Sequence, residues 1–276
     1  MKKSTRGGDH KKRRRGSERG SSGRRSSGDE GSRGQGSRRP PREQPRSLRE
    51  LRVIYEDEAI IAVDKPAGLT AVPVEGTNMP SVWALVAEEL KRIGERAYVV
   101  HRIDRFTSGV MLFAKTERDR DVLVKQFLAH TPEREYLAVV RGRLDAKEET
   151  LIHYFRRDGM FQKLTTAGDY QGARAELRYS VERPLRSASL VRVMLVTGLQ
   201  NQIRVQFAVL GHPVIGDRKY SPAEASERRI DRVALHAVHL GFAHPRSGKH
   251  VSVDSKPPAD FDSLVKALSL PSREKR

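Results

Sequence analysis

The feature that most limits what this chain can fold into is its first 47 residues, which have almost no aliphatic or aromatic side chains after Met1. Gly, Ser and Arg dominate this segment. Such a composition buries too little apolar surface to offset the entropy lost on ordering. We therefore expect residues 1–47 to form a disordered basic tail, and residues 48–276 to contain the folded region with a sizeable core.

The charge of the chain is concentrated in the same segment. The whole chain carries a net charge of +18 and has a sequence pI of about 10.4. Residues 1–47 contain 16 Lys or Arg and 5 Asp or Glu, so they contribute +11 and the remaining residues +7. This balance indicates a polyanionic partner, with nucleic acid as the first candidate. The tail either adds salt-sensitive affinity for RNA or only keeps the protein soluble.

Cysteine usage and hydropathy indicate the compartment. The chain has no cysteine, which excludes disulfides, thiolate chemistry and cysteine-based zinc sites. A chain without cysteine is compatible with a reducing compartment. No apolar run approaches the ~20 residues of a membrane span, and the N-terminus lacks the apolar segment of a secretory signal. We expect a cytoplasmic monomer that does not bind membranes.

Residues 48–276 contain many short β-rich runs and a few amphipathic helices. Strands are predicted near residues 53–55, 60–63, 98–100, 110–114, 136–140, 150–155, 161–165, 173–181, 190–196, 233–240 and 250–253. Helices are predicted from Ser81 to Gly94, Thr116 to Leu128, Gln202 to Leu210 and Asp260 to Leu268. Runs of strands broken by few helices indicate an α+β fold rather than alternating βαβ units.

The stretch Val99–Lys115 holds the main candidate for chemistry. It sets one carboxylate, Asp104, between Arg102 and Arg105. A Thr-Ser-Gly turn follows, and apolar runs lie on both sides. Positive neighbours favour the ionised carboxylate, which can act as a nucleophile or a base. The alternative from the residues alone is a surface salt bridge at a tight turn.

The same stretch resembles the active-site signature of the RluA-type pseudouridine synthases, which reads His-Arg-Leu-Asp, a basic residue, a variable residue and Thr-Ser/Thr-Gly. Five further segments resemble motifs of that family in the family's order. The six matching segments are Asp64–Gly68, His101–Gly109, Arg134–Ala138, Thr197–Val205, Gly211–Asp217 and Leu235–Ala237. In the fourth, Leu199-Gln200-Asn201 stands where the family commonly has Arg-Thr-His.

The resemblance implies a mixed, largely antiparallel central sheet with flanking helices and a central active-site cleft. It implies that residues 48–276 are the catalytic domain, and no RNA-binding domain of the S4 type is evident before it. The implied activity is the isomerisation of uridine to pseudouridine in structured RNA. We expect ribosomal RNA rather than transfer RNA, because a polycationic tail suits a large RNA. No cofactor motif is found, and neither a cofactor nor a metal is expected.

The resemblance also assigns roles to individual residues. Asp104 is the catalytic carboxylate, which attacks the sugar or the base or removes a sugar proton. Arg204 pairs with Asp104, and its alternative is an ion pair elsewhere on a helix surface. Tyr136 stacks on the target base and can serve proton transfer, and its alternative is a core tyrosine. Arg102 fills the gap left by the flipped nucleotide, and its alternative is a plain phosphate contact.

Three further basic residues, Arg105, Lys65 and Lys115, are predicted to contact RNA, the two lysines as phosphate contacts or solvated chain ends. Three histidines have no ligand spacing and are interpreted as structural or RNA-contacting. They are His101, His212 and His236.

Two other functions are compatible with the sequence. The first is a non-catalytic RNA-binding protein on the same fold, against which the presence of Asp104 argues. The second is a carboxylate-dependent hydrolase of nucleotides or nucleosides. It would need a second acid near Asp104 to activate water, and the local sequence offers only arginines.

Overall fold

A computed structural model describes residues 50–77, 79–159, 161–221 and 229–269. The predicted disordered tail, residues 1–47, lies outside the described residues. The strands are β1 Arg52–Glu56, β2 Ile60–Lys65, β3 Tyr98–Val99, β4 Ser108–Ala114, β5 Glu133–Arg141, β6 Glu148–Asp158, β7 Phe161–Thr165, β8 Ala173–Pro184, β9 Ala188–Leu195, β10 Leu235–Ala243 and β11 His250–Asp254. The helices are α1 Val82–Arg92, α2 Glu117–Leu128, α3 Gln202–Val209 and α4 Ala259–Leu268.

The strands of the described region form one mixed sheet in the order β1-β2-β4-β10-β5-β9-β8-β6-β7. Strand β3 pairs with β4, and β11 pairs with β10. The pairing of β4 with β10 is parallel, and the other pairings are antiparallel. The α+β fold with a mixed, largely antiparallel sheet is therefore confirmed.

Several strands are longer than predicted because polar residues extend them. Strand β6 was expected over residues 150–155 and runs from Glu148 to Asp158. Glu148 pairs with Ser180, and Asp158 pairs with Phe161, so the backbone ladder continues where the apolar pattern has ended. Main-chain pairing does not require apolar side chains, and hydropathy therefore underestimates such strands.

Helices α1 and α2 start at the residues that their caps predict. The Ser81 hydroxyl accepts a hydrogen bond from Ala84 N at 3.2 Å, and the Thr116 hydroxyl accepts one from Asp119 N at 3.1 Å. Helix α1 buries Val82 and Val86 in a core cluster with Met111 of strand β4. Side-chain caps of this kind satisfy the free N–H groups of the first turn.

Strand β4 is buried along its whole length and places the loop that contains Asp104. Gly109 has φ +116°, and a Cβ atom built there would collide with the backbone of Ala237 on strand β10. Only glycine allows the two parallel strands to approach this closely. The position of the loop before β4 is therefore fixed by the centre of the sheet.

Candidate active site

A cleft of about 380 Å³ lies between five parts of the chain. They are the loop between β3 and β4, the end of α2 with His130, the start of β5, the segment from the end of β9 into α3, and Leu235 at the start of β10. The predicted residues Arg102, Asp104, Tyr136 and Arg204 all line it. Among the described residues that line the cleft, Asp104 is the sole acidic one. The structure therefore brings together side chains that the sequence keeps far apart.

Asp104 and Arg204 form the ion pair at the centre of the cleft. Nη1 of Arg204 donates a hydrogen bond to Oδ2 of Asp104 at 3.0 Å. The side chain of Asp104 is 24% exposed, whereas that of Arg204 is 9% exposed. Charge-assisted bonds of this kind are short and directional, so they fix the orientation of a carboxylate. The carboxylate thus faces the cleft with one oxygen held from behind.

A buried aspartate fixes Arg204 in turn. Nε and Nη2 of Arg204 donate to the two carboxylate oxygens of Asp217 at 2.8 and 2.9 Å. Burial by itself raises the pKa of Asp217, but hydrogen bonds from Arg204 outweigh this and hold the pKa below its usual range. The alternative for Arg204, an ion pair elsewhere on a helix surface, is therefore wrong.

Two more side chains complete the surroundings of this arginine. Asn201 accepts a hydrogen bond from Nη1 of Arg204 at 2.7 Å, and the Arg204 guanidinium lies 5.5 Å from the ring centroid of Tyr220. Asn201 has φ +58°, a left-handed conformation that asparagine tolerates better than most residues. Sequence reasoning did not name Asn201, Asp217 or Tyr220 as site residues, although the first two lie inside recognised motifs.

Tyr136 lies on strand β5 and is half-buried at the wall of the cleft. Burial raises the pKa of its hydroxyl to about 12, and the negative charge of Asp104 adds to this effect. The phenol is therefore protonated at neutral pH. Among the described residues its hydroxyl has no hydrogen-bond partner, which leaves it available to a ligand in the cleft.

Arg102 and Arg105 flank the carboxylate on the exposed side of the loop. Arg102 lines the cleft. Nε of Arg105 donates to the carbonyl oxygen of Gly68 at 2.8 Å, and its guanidinium lies 5.1 Å from the ring centroid of Phe106. Both positive charges remain accessible to a polyanion at the rim.

Lys65 does not lie where a phosphate could reach it, and the prediction that it contacts RNA is wrong. Its side chain is fully buried, and Nζ donates to the carbonyl oxygens of Pro66, Leu69 and Arg105 at 2.8 to 3.0 Å. Burial lowers its pKa to about 7. The lysine instead ties the turn after β2 to the backbone next to Asp104.

Lys115, which was also predicted to contact RNA, does not line the cleft. It follows the last residue of β4, at the opposite end of that strand from Asp104. Nζ of Lys115 forms ion pairs with Glu56 at 2.8 Å and Glu95 at 2.9 Å, and its side chain is 7% exposed. Two carboxylates therefore already compensate its charge outside the cleft.

His101 and His236 make internal contacts that support a structural role. His101 stacks on Phe127 at 4.7 Å, and its Nε2 accepts a hydrogen bond from Leu112 N at 3.0 Å. Burial, together with the charge of Arg134, lowers the pKa of His101 to about 3. His236 is bonded at both ring nitrogens inside the sheet, and His212 lies 2.8 Å from a backbone carbonyl oxygen. In the part of the chain that the structure describes, no three acidic or histidine side chains converge as a metal site would need.

With this geometry in place, the family of the chain can be assigned. The family model for RNA pseudouridylate synthases matches residues 59–209, more than half of the chain. The chain belongs to the RNA pseudouridylate synthase family. The resemblance to the RluA-type synthases is confirmed, and the enzyme is an isomerase that acts on RNA.

Curated relatives of the synthase cover most of both chains. The ribosomal large subunit pseudouridine synthase D of Zymomonas mobilis is 35% identical over 247 residues, which span 85% of this chain and 78% of the relative. The dual-specificity RNA pseudouridine synthase RluA of Vibrio cholerae is 37% identical over 196 residues, which span 71% and 78%.

Solved structures show the same fold. Human RNA Pseudouridylate Synthase Domain Containing 4 superposes with a TM-score of 0.66 at 19% identity, covering 80% of the synthase and 95% of that chain. Human RNA Pseudouridylate Synthase Domain Containing 1 superposes with a TM-score of 0.63 at 23% identity, with coverage of 82% and 97%. Within the described ranges of the synthase, no helix has the length and apolar character needed to cross a bilayer.

Proposed function

We propose that this synthase isomerises a uridine in structured RNA with Asp104 as its catalytic carboxylate, and that ribosomal RNA is its preferred substrate. The observation that carries the assignment is the Asp104–Arg204 pair, in which a partly exposed carboxylate is held from behind by a buried guanidinium. A carboxylate so positioned has one oxygen that Arg204 does not hold, and this oxygen can face a substrate.

The reaction requires three changes at the target nucleotide. The N1–C1′ bond breaks, a C5–C1′ bond forms, and the proton on C5 is lost while N1 gains one. Asp104 can attack the sugar or the base or remove a sugar proton, and each route uses its free oxygen. The position of Tyr136 on the cleft wall supports a role in stacking on the base, and its protonated hydroxyl can take part in proton transfer.

A uridine in folded RNA must leave its stack to reach this cleft. Unstacking costs a few kcal/mol, which the protein can offset by filling the space that the base leaves. Arg102 is exposed at the rim of the cleft and carries a planar guanidinium that can stack on the neighbouring bases. These features support its assignment as the residue that occupies the gap.

The preference for ribosomal RNA rests on two observations. Several curated relatives, among them those of Zymomonas mobilis and Haemophilus influenzae, are named as ribosomal large subunit synthases. Residues 1–47 carry 11 net positive charges, and the affinity of such a segment increases with the number of phosphates it can reach. The dual-specificity relative of Vibrio cholerae makes transfer RNA the necessary comparison.

The rival functions are less compatible with the site. A hydrolase would need a second carboxylate to activate water. Of the described residues that line the cleft, Asp104 alone is acidic, and the nearby Asp217 is buried and fully engaged by Arg204. A protein that only binds RNA has no need of a carboxylate held in this geometry.

The experiment is tritium release from RNA labelled at uridine C5, with ribosomal and transfer RNA pools assayed separately. The wild type is expected to release tritium, first from the ribosomal pool. Asp104→Asn is expected to release none while binding the same RNA. Asp145→Asn is the matched control, because Asp145 is exposed and does not line the cleft. Release by Asp104→Asn would refute the role of Asp104, and release from transfer RNA alone would refute the preference.

A further inference from the structure

Arg134 is a buried arginine without a carboxylate partner among the described residues, and its guanidinium carbon lies 6.0 Å from the ring centroid of Phe127. Arg134 is 8% exposed, and its Nη2 donates to the carbonyl oxygens of Val196 at 2.9 Å and Leu195 at 3.4 Å. Its Nε atom is buried without a hydrogen-bond partner, and Nη1 has none among the described residues. Burial lowers the pKa of Arg134 from its usual value. An interior cation with free donors and no anion is unfavourable, so the site favours a negatively charged ligand.

Two other buried arginines of the described region, unlike Arg134, have a carboxylate partner. Arg204 and Arg232 are each 7% exposed. Each directs two N–H groups at one carboxylate, Asp217 for the first and Asp260 for the second. Arg134 has the same burial and no carboxylate. The difference points to a counter-charge that comes from outside the protein.

Arg134 lies in the cleft of the active site. It precedes Tyr136 by two residues on strand β5, so both side chains leave the same face of the sheet. Its neighbours cannot supply a negative charge, because His101 is neutral at physiological pH and Tyr136 is protonated. The cation is therefore beside the position at which Tyr136 would stack on the target base.

Gly198 leaves room for the guanidinium. A Cβ atom at this position would lie 2.5 Å from Nη1 of Arg134, well inside van der Waals contact. Any side chain at this position would therefore displace Nη1. The free edge of Arg134 is thus adjacent to the backbone segment that leads into α3, on a wall of the cleft.

We propose that Arg134 binds a phosphate group that flanks the flipped uridine, so that the RNA itself supplies the missing counter-charge. This inference rests on the proposed function. Because Nη2 already donates to two carbonyl oxygens, Nη1 is the group left to donate to phosphate oxygens. A charge-assisted hydrogen bond of this kind fixes an orientation as well as a distance. A phosphate contact carries no sequence information but sets the register of the nucleotide. Arg134 would thereby hold the ribose of the target in line with Asp104.

The first test uses wild-type protein and a synthetic RNA oligonucleotide that contains the uridine mapped by tritium release. One flanking phosphate at a time is replaced by an uncharged methylphosphonate. Replacement of the contacted phosphate is expected to weaken binding or slow single-turnover conversion about 10- to 100-fold, as the loss of hydrogen bonds to a charged group does. Replacement of phosphates further away is the control. If neither flanking replacement has an effect, the inference is wrong.

The second test removes the arginine. Arg134→Met is expected to show the same loss with the unmodified oligonucleotide and no further loss with the methylphosphonate at the sensitive position. The slope of log affinity against log salt is expected to fall by about 0.7 to 0.9, the value for one phosphate contact. Arg178→Met is the matched control, because Arg178 is exposed and does not line the cleft. If Arg134→Met and the methylphosphonate at the sensitive position together cause the sum of their separate losses, the assignment is overturned.

A third test uses a variant that keeps the charge of Arg134 and controls for misfolding. Gly198→Ala retains Arg134 but displaces Nη1, and it is expected to reduce the sensitivity to methylphosphonate without changing the thermal midpoint as much as Arg134→Met does. If Arg134→Met instead shifts only the pH profile of conversion, Arg134 adjusts Tyr136 and binds no phosphate. If the wild type converts no RNA, the proposed function fails and this inference fails with it. If the wild type converts the oligonucleotide at the same rate whichever phosphate is replaced, only this inference fails.

Discussion

Asp104 and Arg204 are 100 positions apart in the chain, and Nη1 of Arg204 donates to Oδ2 of Asp104 at 3.0 Å. The contact joins the loop before β4 to helix α3. Because the two segments are distant in the sequence, no local structure brings them together. The proposed catalytic group is thus oriented by the tertiary fold.

Arg204→Lys is expected to lower single-turnover conversion by about 10²- to 10³-fold, the range for loss of one well-placed donor. Lysine keeps a positive charge but cannot donate to Asp217 with two groups and to Asp104 with a third. Tritium release measures the effect, with Arg178→Lys as the exposed control. Equal rates for Arg204→Lys and wild type would show that charge alone is sufficient at this position.

Asp217→Asn is expected to lower the free energy of unfolding at pH 7 by about 3 kcal/mol, because it leaves the buried charge of Arg204 without its main partner. The pKa of Asp217 is lowered in the folded state, so its stabilisation is present above the unfolded value of 3.8 and is lost as the pH falls through the lower folded pKa. Denaturant titrations from pH 7 to pH 3 should therefore show the variant and the wild type converging in acid. Asp145→Asn should match the wild type throughout.

His101 is expected to make the stability of the fold decrease at pH values above those at which the carboxylates titrate. Its folded pKa is about 3 against 6.5 unfolded, so the unfolded chain binds a proton first as the pH falls. Stability attributable to this residue therefore declines from about pH 6.5 towards pH 3, with a slope of up to about 1.4 kcal/mol per pH unit. His101→Gln should be less stable at pH 7 but have a shallower slope. The exposed His250→Gln serves as control, and an unchanged slope in His101→Gln would contradict the prediction.

Lys65→Met is expected to lower the free energy of unfolding by at least about 2 kcal/mol, because three carbonyl oxygens lose their buried donor. Conversion should also fall, since the turn next to Asp104 loses its link to β2. Urea unfolding and tritium release measure the two effects, with the exposed Lys163→Met as control. A fully stable variant with weakened RNA binding would restore the phosphate role that the structure contradicts.

Deletion of residues 1–47 is expected to weaken RNA binding and to flatten its dependence on salt, while the rate of conversion of bound RNA stays the same. Each Lys or Arg that neutralises a phosphate contributes to the salt slope. Binding measured at several salt concentrations tests this, and an unchanged slope would show that the segment takes no part in binding RNA.

The motifs that resemble those of the family led to Asp104, Tyr136 and Arg204, and the structure places these three residues around one cleft. Their catalytic roles stay a proposal. The errors and omissions have a different origin. Lys65 and Lys115 look like free cations in the sequence, and only the fold shows which carbonyls and carboxylates surround them. Asp217 was overlooked because an acid becomes part of a site only through its partner, and that partner lies 13 residues away on another element.

The close approach of β4 and β10 at Gly109 also determines the position of Asp104. Strands β4 and β10 are in register with Ser108 opposite His236 and Gly109 opposite Ala237. A slip of one residue would move the loop before β4 by about 3.3 Å, more than the whole length of the bond between Asp104 and Arg204. The register inside the sheet thus sets the distance across the cleft, and a Cβ atom at residue 109 would be enough to misalign the carboxylate.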